Sequence, residues 1–177
     1  ATLSTGEKIG NPRYYRRSEK KLRRLQRALS RKKKGSANRN KARIRVAKQH
    51  EKVSNMRKDF TNKLTTWLVS ENQVIGVESL NVKGMLKNKN LAKSISDAGW
   101  GETLRQLKYK SEWHGRELVA ADRFFPSSKL TNCCHVKLEK LSLSQRTIVC
   151  PNCGQIWDRD VNAAINLENF AVGHTEN

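Results

Sequence analysis

The sequence predicts an α/β fold, and three observations carry that prediction. Val74-Ile75-Gly76-Val77 and Glu117-Leu118-Val119-Ala120-Ala121 are short apolar runs with the length and side-chain type of buried strands. Between them, Trp100, Leu104 and Leu107 repeat with helical spacing, and a second helical pattern opens at Asp158. Strands that alternate with helices in this way pack as α/β layers. At 177 residues the chain fits one domain, or one domain with a small module.

Taken in order, Ser4-Thr5-Gly6-Glu7 is a turn flanked by two short potential strands, which predicts a hairpin. From Arg13 to Lys58 there are 20 Lys and Arg against only Glu19 and Glu51. Leu22, Leu25 and Leu29 in this stretch follow helical spacing, as do Val53, Met56, Phe60, Leu64 and Trp67, which run past its end. Lys34-Gly35-Ser36-Ala37-Asn38 separates the two stripes, with Asn38 as the cap of the second helix. Two helices over about 18–33 and 38–69 are expected, folded as a long antiparallel hairpin along one apolar seam.

A solvated helix face normally mixes charge signs, whereas here the sign is nearly uniform. With 36 Lys and Arg against 16 Asp and Glu, the net charge is +20 and the pI about 10.3. Such a balance points to a polyanionic partner, nucleic acid above all. The side chains expected to meet phosphates are Arg16, Arg17, Lys20, Lys21, Arg23, Arg24, Arg27, Lys32, Lys33, Arg39 and Arg43. A membrane-surface role does not fit, because the basic segment lacks a Trp/Phe/Leu-rich face. No apolar run approaches the roughly 18 residues that would span a bilayer. There is no secretory signal, and a first residue of Ala1 rather than Met leads us to expect a fragment or a processed product.

Beyond the hairpin, Glu78 directly ends the first apolar run, and Gly84 to Asn90 is a Gly/Lys/Asn-rich stretch expected to be an exposed loop. A helix over about 99–114 follows, then the strand Glu117–Ala121, ended by Asp122-Arg123. After Pro126-Ser127-Ser128-Lys129 comes a cysteine-containing hairpin. Four cysteines between 133 and 153 suit a metal site in a reducing compartment better than a disulfide framework. Cys150-Pro-Asn-Cys153 is half of a zinc site, since two thiolates three positions apart can reach one tetrahedral ion. In the final helix Asp158 is the natural N-cap, and Asp160 lies in the first turn, where the helix dipole favours negative charge. Asp160, Ala163, Ala164 and Leu167 share one face, which places a carboxylate toward the interior. Such a group is costly unless it is paired or bound to a metal. Two carboxylates 82 positions apart, Glu78 and Asp160, then suit a pair of divalent ions, although Glu78 alone reads equally as an exposed strand end. His50, His114 and His174 carry no evident chemistry.

Five motifs occur in one order: Val77-Glu78-Ser-Leu80-Asn81-Val-Lys83-Gly84-Met85, Phe125-Pro-Ser-Ser-Lys129, Leu141-Ser-Leu-Ser-Gln-Arg146, Cys150-Pro-Asn-Cys153-Gly154 and Asp158-Arg-Asp160-Val-Asn162-Ala-Ala-Ile-Asn166. In this order they resemble the C-terminal part of the TnpB/OrfB proteins of bacterial insertion sequences, related to type V CRISPR effectors. The resemblance covers nearly the whole chain. It implies an RNase H-like (RuvC-like) domain interrupted by a zinc ribbon, which cuts DNA with an Asp–Glu–Asp set under the guidance of an RNA. It places the family's Glu on Glu78 and its last Asp on Asp160, and it implies Mg²⁺ at the nuclease site and Zn²⁺ in the ribbon. The expected organisation is a partial RuvC-like domain over 1–128 that includes the basic hairpin, a ribbon-like module over 129–157, and a closing RuvC-like helix and tail over 158–177.

Two departures from the family pattern shape the expectation. The family's first catalytic Asp lies on a strand ahead of the segment matching Ala1–Gly6, so the RuvC-like domain is expected to lack its first strand and this chain alone to be inactive as a nuclease. Neither Asp122 nor Asp158 is placed to substitute for that Asp. In the ribbon, Lys129 sets a register in which Thr131 occupies the first ligand position and Cys134 the second. Cys133 or His135 could complete a set with Cys134, Cys150 and Cys153, but adjacent residues reproduce knuckle geometry poorly, so weakened zinc binding is expected. The expected partners are DNA and a guide-type RNA, in the nucleoid-associated cytoplasm of a bacterium or archaeon, with no membrane. A nucleic-acid-binding remnant without nuclease activity is the alternative. A ribosome-type RNA-binding protein would account for the charge but not for Asp160 after a cysteine knuckle.

Overall fold

Strands and helices alternate as a mixed α/β structure. The computed structural model describes residues 1–142 and 144–175; Leu143, within the Leu141–Arg146 motif, lies outside the described residues. The elements are α1 (Tyr14–Ser30), α2 (Ala37–Glu71), β1 (Val74–Glu78), α3 (Val82–Met85), α4 (Ala92–Ala98), α5 (Trp100–Trp113), β2 (Glu117–Ala121), β3 (Thr147–Val149), β4 (Ile156–Asp158) and α6 (Arg159–Thr175). They group into two compact units. One comprises Ala1–Asn11, Leu68–Leu80 and Lys108–Asn177; the other comprises Pro12–Trp67 and Asn81–Leu107.

The first unit is built on β1 and β2, which pair in parallel from Val74↔Glu117 to Glu78↔Ala121. Helix α6 packs on both strands. Its approach depends on Gly76, where an added Cβ would stand 2.5 Å from the Leu167 carbonyl oxygen and 3.1 Å from Ala171 Cβ. Any side chain at position 76 would push the helix off the sheet. Val119, Ala121 and Ala171 are buried at this contact. Antiparallel β3 and β4 form the cysteine-bearing hairpin, registered from Thr147↔Asp158 to Val149↔Ile156, with Ile148 fully buried. At the N-terminus the expected hairpin is reduced to a bridge between Thr2 and Lys8, with Gly6 at φ 89° in the turn. That positive φ is one that glycine adopts at no steric cost.

The second unit holds α1, α3, α4 and most of α2 and α5. Helices α1 and α2 run antiparallel: Tyr14 meets Phe60 edge-on at 6.4 Å, and Arg39 Nη1 donates to the carbonyls of Leu29 (3.2 Å) and Lys32 (3.1 Å). Helix α1 spans 14–30 rather than the expected 18–33. Its earlier start has a tertiary cause. Arg13 precedes the helix at φ 53° with no side-chain cap of its own, and the buried Asp97 of α4 accepts from the backbone N–H groups of Tyr15 (3.0 Å) and Arg16 (3.4 Å). A carboxylate there satisfies orphan donors and opposes the positive end of the helix dipole. Lys93, also on α4, pairs with Glu19 at 2.5 Å and lies over the Tyr15 ring.

The buried face of α2 differs from the predicted seam. Val53, Thr61, Thr65 and Val69 are buried, whereas Trp67, expected in the seam, is 40% exposed. Thr65 is accommodated there because its hydroxyl finds partners. Thr65 Oγ1 lies 2.9 Å from both the Thr61 carbonyl and Gln106 Oε1 on α5. A satisfied hydroxyl is tolerated in a core, and apolar periodicity does not anticipate it. Residues 84–90, expected as loop, begin inside α3, a single turn capped by Asn81, whose Oδ1 accepts from Gly84 N at 2.9 Å.

Gln106 extends this network to Glu102. The Arg105 guanidinium, then the Gln106 amide, hold the Glu102 carboxyl down at about 2. A folded pKa below the unfolded one adds stability that is present above the ordinary carboxylate range and lost as pH falls through it. Because the Glu102 side chain is 38% exposed, solvent screening limits the contribution to about 1 kcal/mol. Thermal denaturation across pH should show Glu102→Gln losing stability near neutrality and converging with the parent chain as pH falls toward 2.

Candidate functional site

The first unit contains the two carboxylates singled out by the sequence, Glu78 and Asp160, and a cysteine cluster. Glu78 is the last residue of β1 and is exposed at its end. Ligands in parallel α/β sheets gather at such carboxyl ends. Its Oε1 accepts a hydrogen bond from Ser127 Oγ at 3.1 Å. Asp158 caps α6 as its sequence position predicts, with Oδ1 accepting from the N–H groups of Asp160 (3.0 Å) and Val161 (3.1 Å). Lys8 holds the other Asp158 oxygen at 2.6 Å and, with these backbone donors, lowers its pKa.

Asp160 lies in the first turn of α6 as expected, but the inward orientation does not hold. Its side chain is 45% exposed and stands near two guanidinium groups, Arg159 Nε at 3.5 Å and Arg146 Nη1 at 4.0 Å. The inward face of α6 instead carries Asn162 (0% exposed) and Asn166 (2%). Hydrogen bonding explains the exchange. Asn162 Nδ2 and Asn166 Nδ2 both donate to the Leu130 carbonyl at 2.6 Å, and Asn166 Nδ2 also donates to the Ser127 carbonyl at 2.8 Å. Asn162 Oδ1 accepts from Asn132 N at 2.9 Å. A neutral amide can donate and accept at once, so it satisfies a buried irregular segment where a carboxylate could only accept. Apolar periodicity passed over both asparagines; their i, i+4 spacing was the available signal.

The cysteine hairpin gathers Cys133, Cys134, Cys150 and Cys153, whose sulfurs all lie within 4.8 Å of one another. Four thiolates around a tetrahedral zinc sit about 3.8 Å apart at ordinary Zn–S lengths of about 2.3 Å, so this donor set fits such an ion. The adjacent pair Cys133–Cys134 therefore does reach the opposite knuckle, against the expectation for neighbouring residues. His135, at φ 52°, is exposed. Thr131, which the resemblance sets at the first ligand position, is fully buried beside the cluster. Its Oγ1 accepts from Val136 N at 3.0 Å and lies 3.6 Å from Cys150 Sγ. The Thr131 hydroxyl thus stands within hydrogen-bond reach of a thiol of the cluster. The Cys150 thiol is drawn down to about 6, first by the backbone N–H of Cys153 and then by those of its neighbours. At Cys153 the Gln155 N–H acts in the same direction, but the sulfurs of Cys133, Cys134 and Cys150 outweigh it and push the thiol up to about 12.

In the second unit, Arg16, Arg17, Lys20, Lys21, Arg23, Arg24 and Arg27 line an open concavity along α1. Lys32 lines a cleft between α1 and α2, and Lys33 and Arg43 are exposed. Arg39 is committed in part to the carbonyls that end α1. Arg23 pairs with Glu19 at 2.7 Å. No described helix is long and apolar enough to cross a membrane.

If the Asn162 amide organises the segment ahead of the cysteines, Asn162→Ala should leave the Asn132 N–H without this acceptor and open a small cavity, costing about 2–3 kcal/mol. Chemical denaturation of the two proteins measures this loss.

Residues 1–89 match the OrfB_IS605 family, described as a probable transposase, and residues 100–167 match the Cas12f1-like TNB domain. A protein described as an RNA-guided DNA endonuclease in Streptomyces pristinaespiralis is 53% identical over 94% of this chain and 41% of its own length. InsQ of Escherichia coli, with the same description, is 35% identical over 98% of this chain and 46% of its own length. A TnpB-like protein of Methanocaldococcus jannaschii is 31% identical over 62% of this chain and 41% of its own length. The chain therefore spans less than half the length of these relatives. With two family matches in succession and a 53% identical relative aligned along nearly all of it, this chain belongs to the TnpB/OrfB family of transposon-encoded proteins.

Proposed function

We propose that this chain is the part of an RNA-guided DNA endonuclease that carries two of its metal-binding carboxylates, Glu78 and Asp160, in a RuvC-like domain. The observation that carries the reading is Glu78 at the carboxyl end of a parallel strand, in the same compact unit as Asp160 on the helix packed against that strand. Carboxylate oxygens are the donors Mg²⁺ prefers, and such ions supply charge neutralisation at a phosphodiester. The chain's own residues hold the carboxylates: Asp158 and Lys8 fix the first turn of α6, and Arg146 and Arg159 balance the charge of Asp160. A further carboxylate, which the family resemblance assigns to a strand ahead of the Ala1–Gly6 match, would complete the set. Residues 1–128 and 158–177 would form the RuvC-like part, with 129–157 as an inserted ribbon.

The exposed cations of α1 and α2 would contact the phosphates of DNA and of a guide-type RNA, in the nucleoid-associated cytoplasm of the host. Each neutralised phosphate releases counterions, so binding should weaken steeply as salt rises. In a protein that also supplies the further carboxylate, Glu78→Gln and Asp160→Asn should each reduce guided cleavage by at least roughly a hundredfold while leaving DNA and RNA binding close to normal. Undiminished cleavage by either variant would overturn the assignment of that residue.

The cysteine module would bind one Zn²⁺ through Cys133, Cys134, Cys150 and Cys153, with Thr131 donating to the Cys150 thiolate. Titration with Co²⁺ should give a stoichiometric thiolate charge-transfer band that Cys150→Ser abolishes. Full retention of that band in the variant would remove Cys150 from the ligand set.

A further inference from the structure

We propose that Ser127 is a positioning residue for Glu78 and that Asn166 holds Ser127 in place, so that α6 governs both carboxylates. It rests on the reading of Glu78 as a metal-binding carboxylate. The exposed glutamate at the end of β1 has three rotatable side-chain bonds, and fixing them costs entropy. The Ser127 hydroxyl engages Oε1 at 3.1 Å, which leaves Oε2 available to an ion. Ser127 is itself 6% exposed and lies in a tight turn: its N–H donates to the Phe125 carbonyl, and the N–H groups of Lys129 and Leu130 donate to that of Pro126, each at 2.9 Å.

What immobilises this turn from outside is Asn166, whose amide donates to the Ser127 carbonyl at 2.8 Å and to the Leu130 carbonyl at 2.6 Å. Asn166 stands on the same helix as Asp160, six residues further along. One carboxylate is therefore borne by α6 directly, and the other is oriented by it through an amide, a turn and a hydroxyl. Both orientations refer to one rigid element, as a site that needs convergent carboxylates requires.

Ser127→Ala isolates the idea, because it removes the hydroxyl and keeps the carbonyl that Asn166 binds. Glu78 side-chain rotamers, read from three-bond NMR couplings, should change from one dominant state to an average in the variant. Couplings that remain unchanged would overturn the proposal whether or not Glu78 binds metal. Mn²⁺ affinity, measured by water proton relaxation, should fall roughly three- to tenfold in Ser127→Ala, the scale of a hydrogen bond to a charged group. The same substitution in a Glu78→Gln background should change nothing further. Equal losses in both backgrounds would make Ser127 merely structural and defeat the inference. Mn²⁺ binding unaffected by Glu78→Gln would instead defeat the carboxylate assignment beneath it.

Discussion

Two buried amides on α6 converge on one backbone carbonyl, that of Leu130, and the organisation of the first unit depends on this contact. The chain between β2 and the cysteine hairpin has little regular structure, so its peptide groups cannot satisfy one another in a ladder. Asn162 and Asn166 supply donors from a rigid helix, and Asn162 also accepts from the Asn132 N–H. Helix α6 can perform this task only because Gly76 lets it lie close on β1. A glycine in a strand and two asparagines in a helix, each unfavourable by local propensity, form one device.

Charge is handled differently in the two units. The surface of α1 keeps its cations exposed and nearly unopposed, a state with a repulsive cost that a polyanion would relieve. The helix is secured at its ends rather than along its face: Asp97 accepts from N–H groups of its first turn, and Arg39 donates to the Leu29 carbonyl in its last. Such capping stabilises α1 without spending the cations that face outward. In the first unit, Asp160 and Asp158 are instead paired with Arg146, Arg159 and Lys8. These partners keep a cluster of negative charge tolerable while leaving Asp160 partly exposed.

The cysteine module illustrates how much of a site local spacing can convey. Cys150-x-x-Cys153 reads by its spacing as half of a candidate metal site. The other half reads less sharply, because the family register sets Thr131 at a ligand position and leaves the adjacent Cys133 or His135 to complete a set with Cys134. The folded hairpin brings both sulfurs to the opposite knuckle and places the Thr131 hydroxyl against Cys150. The position of the hydroxyl depends on the turn between Thr131 and Val136, which no spacing rule describes.

From the sequence alone came the alternation of strands and helices, the antiparallel basic hairpin, the Asp158 cap, the metal-type cysteine cluster and, through five ordered motifs, the family. All of these are recorded in patterns confined to a few neighbouring residues or in composition. The tertiary structure alone decided which side of α6 turns inward, where α1 begins, which face of α2 is buried and what Ser127 touches. Each of those outcomes turns on a polar group finding a partner 30 or more residues away: Asn162 with Leu130, Asp97 with Tyr15, Thr65 with Gln106, Ser127 with Glu78. Apolar periodicity measures the tendency of a side chain to leave water. It cannot register that a buried amide or hydroxyl becomes favourable once a distant partner is brought to it.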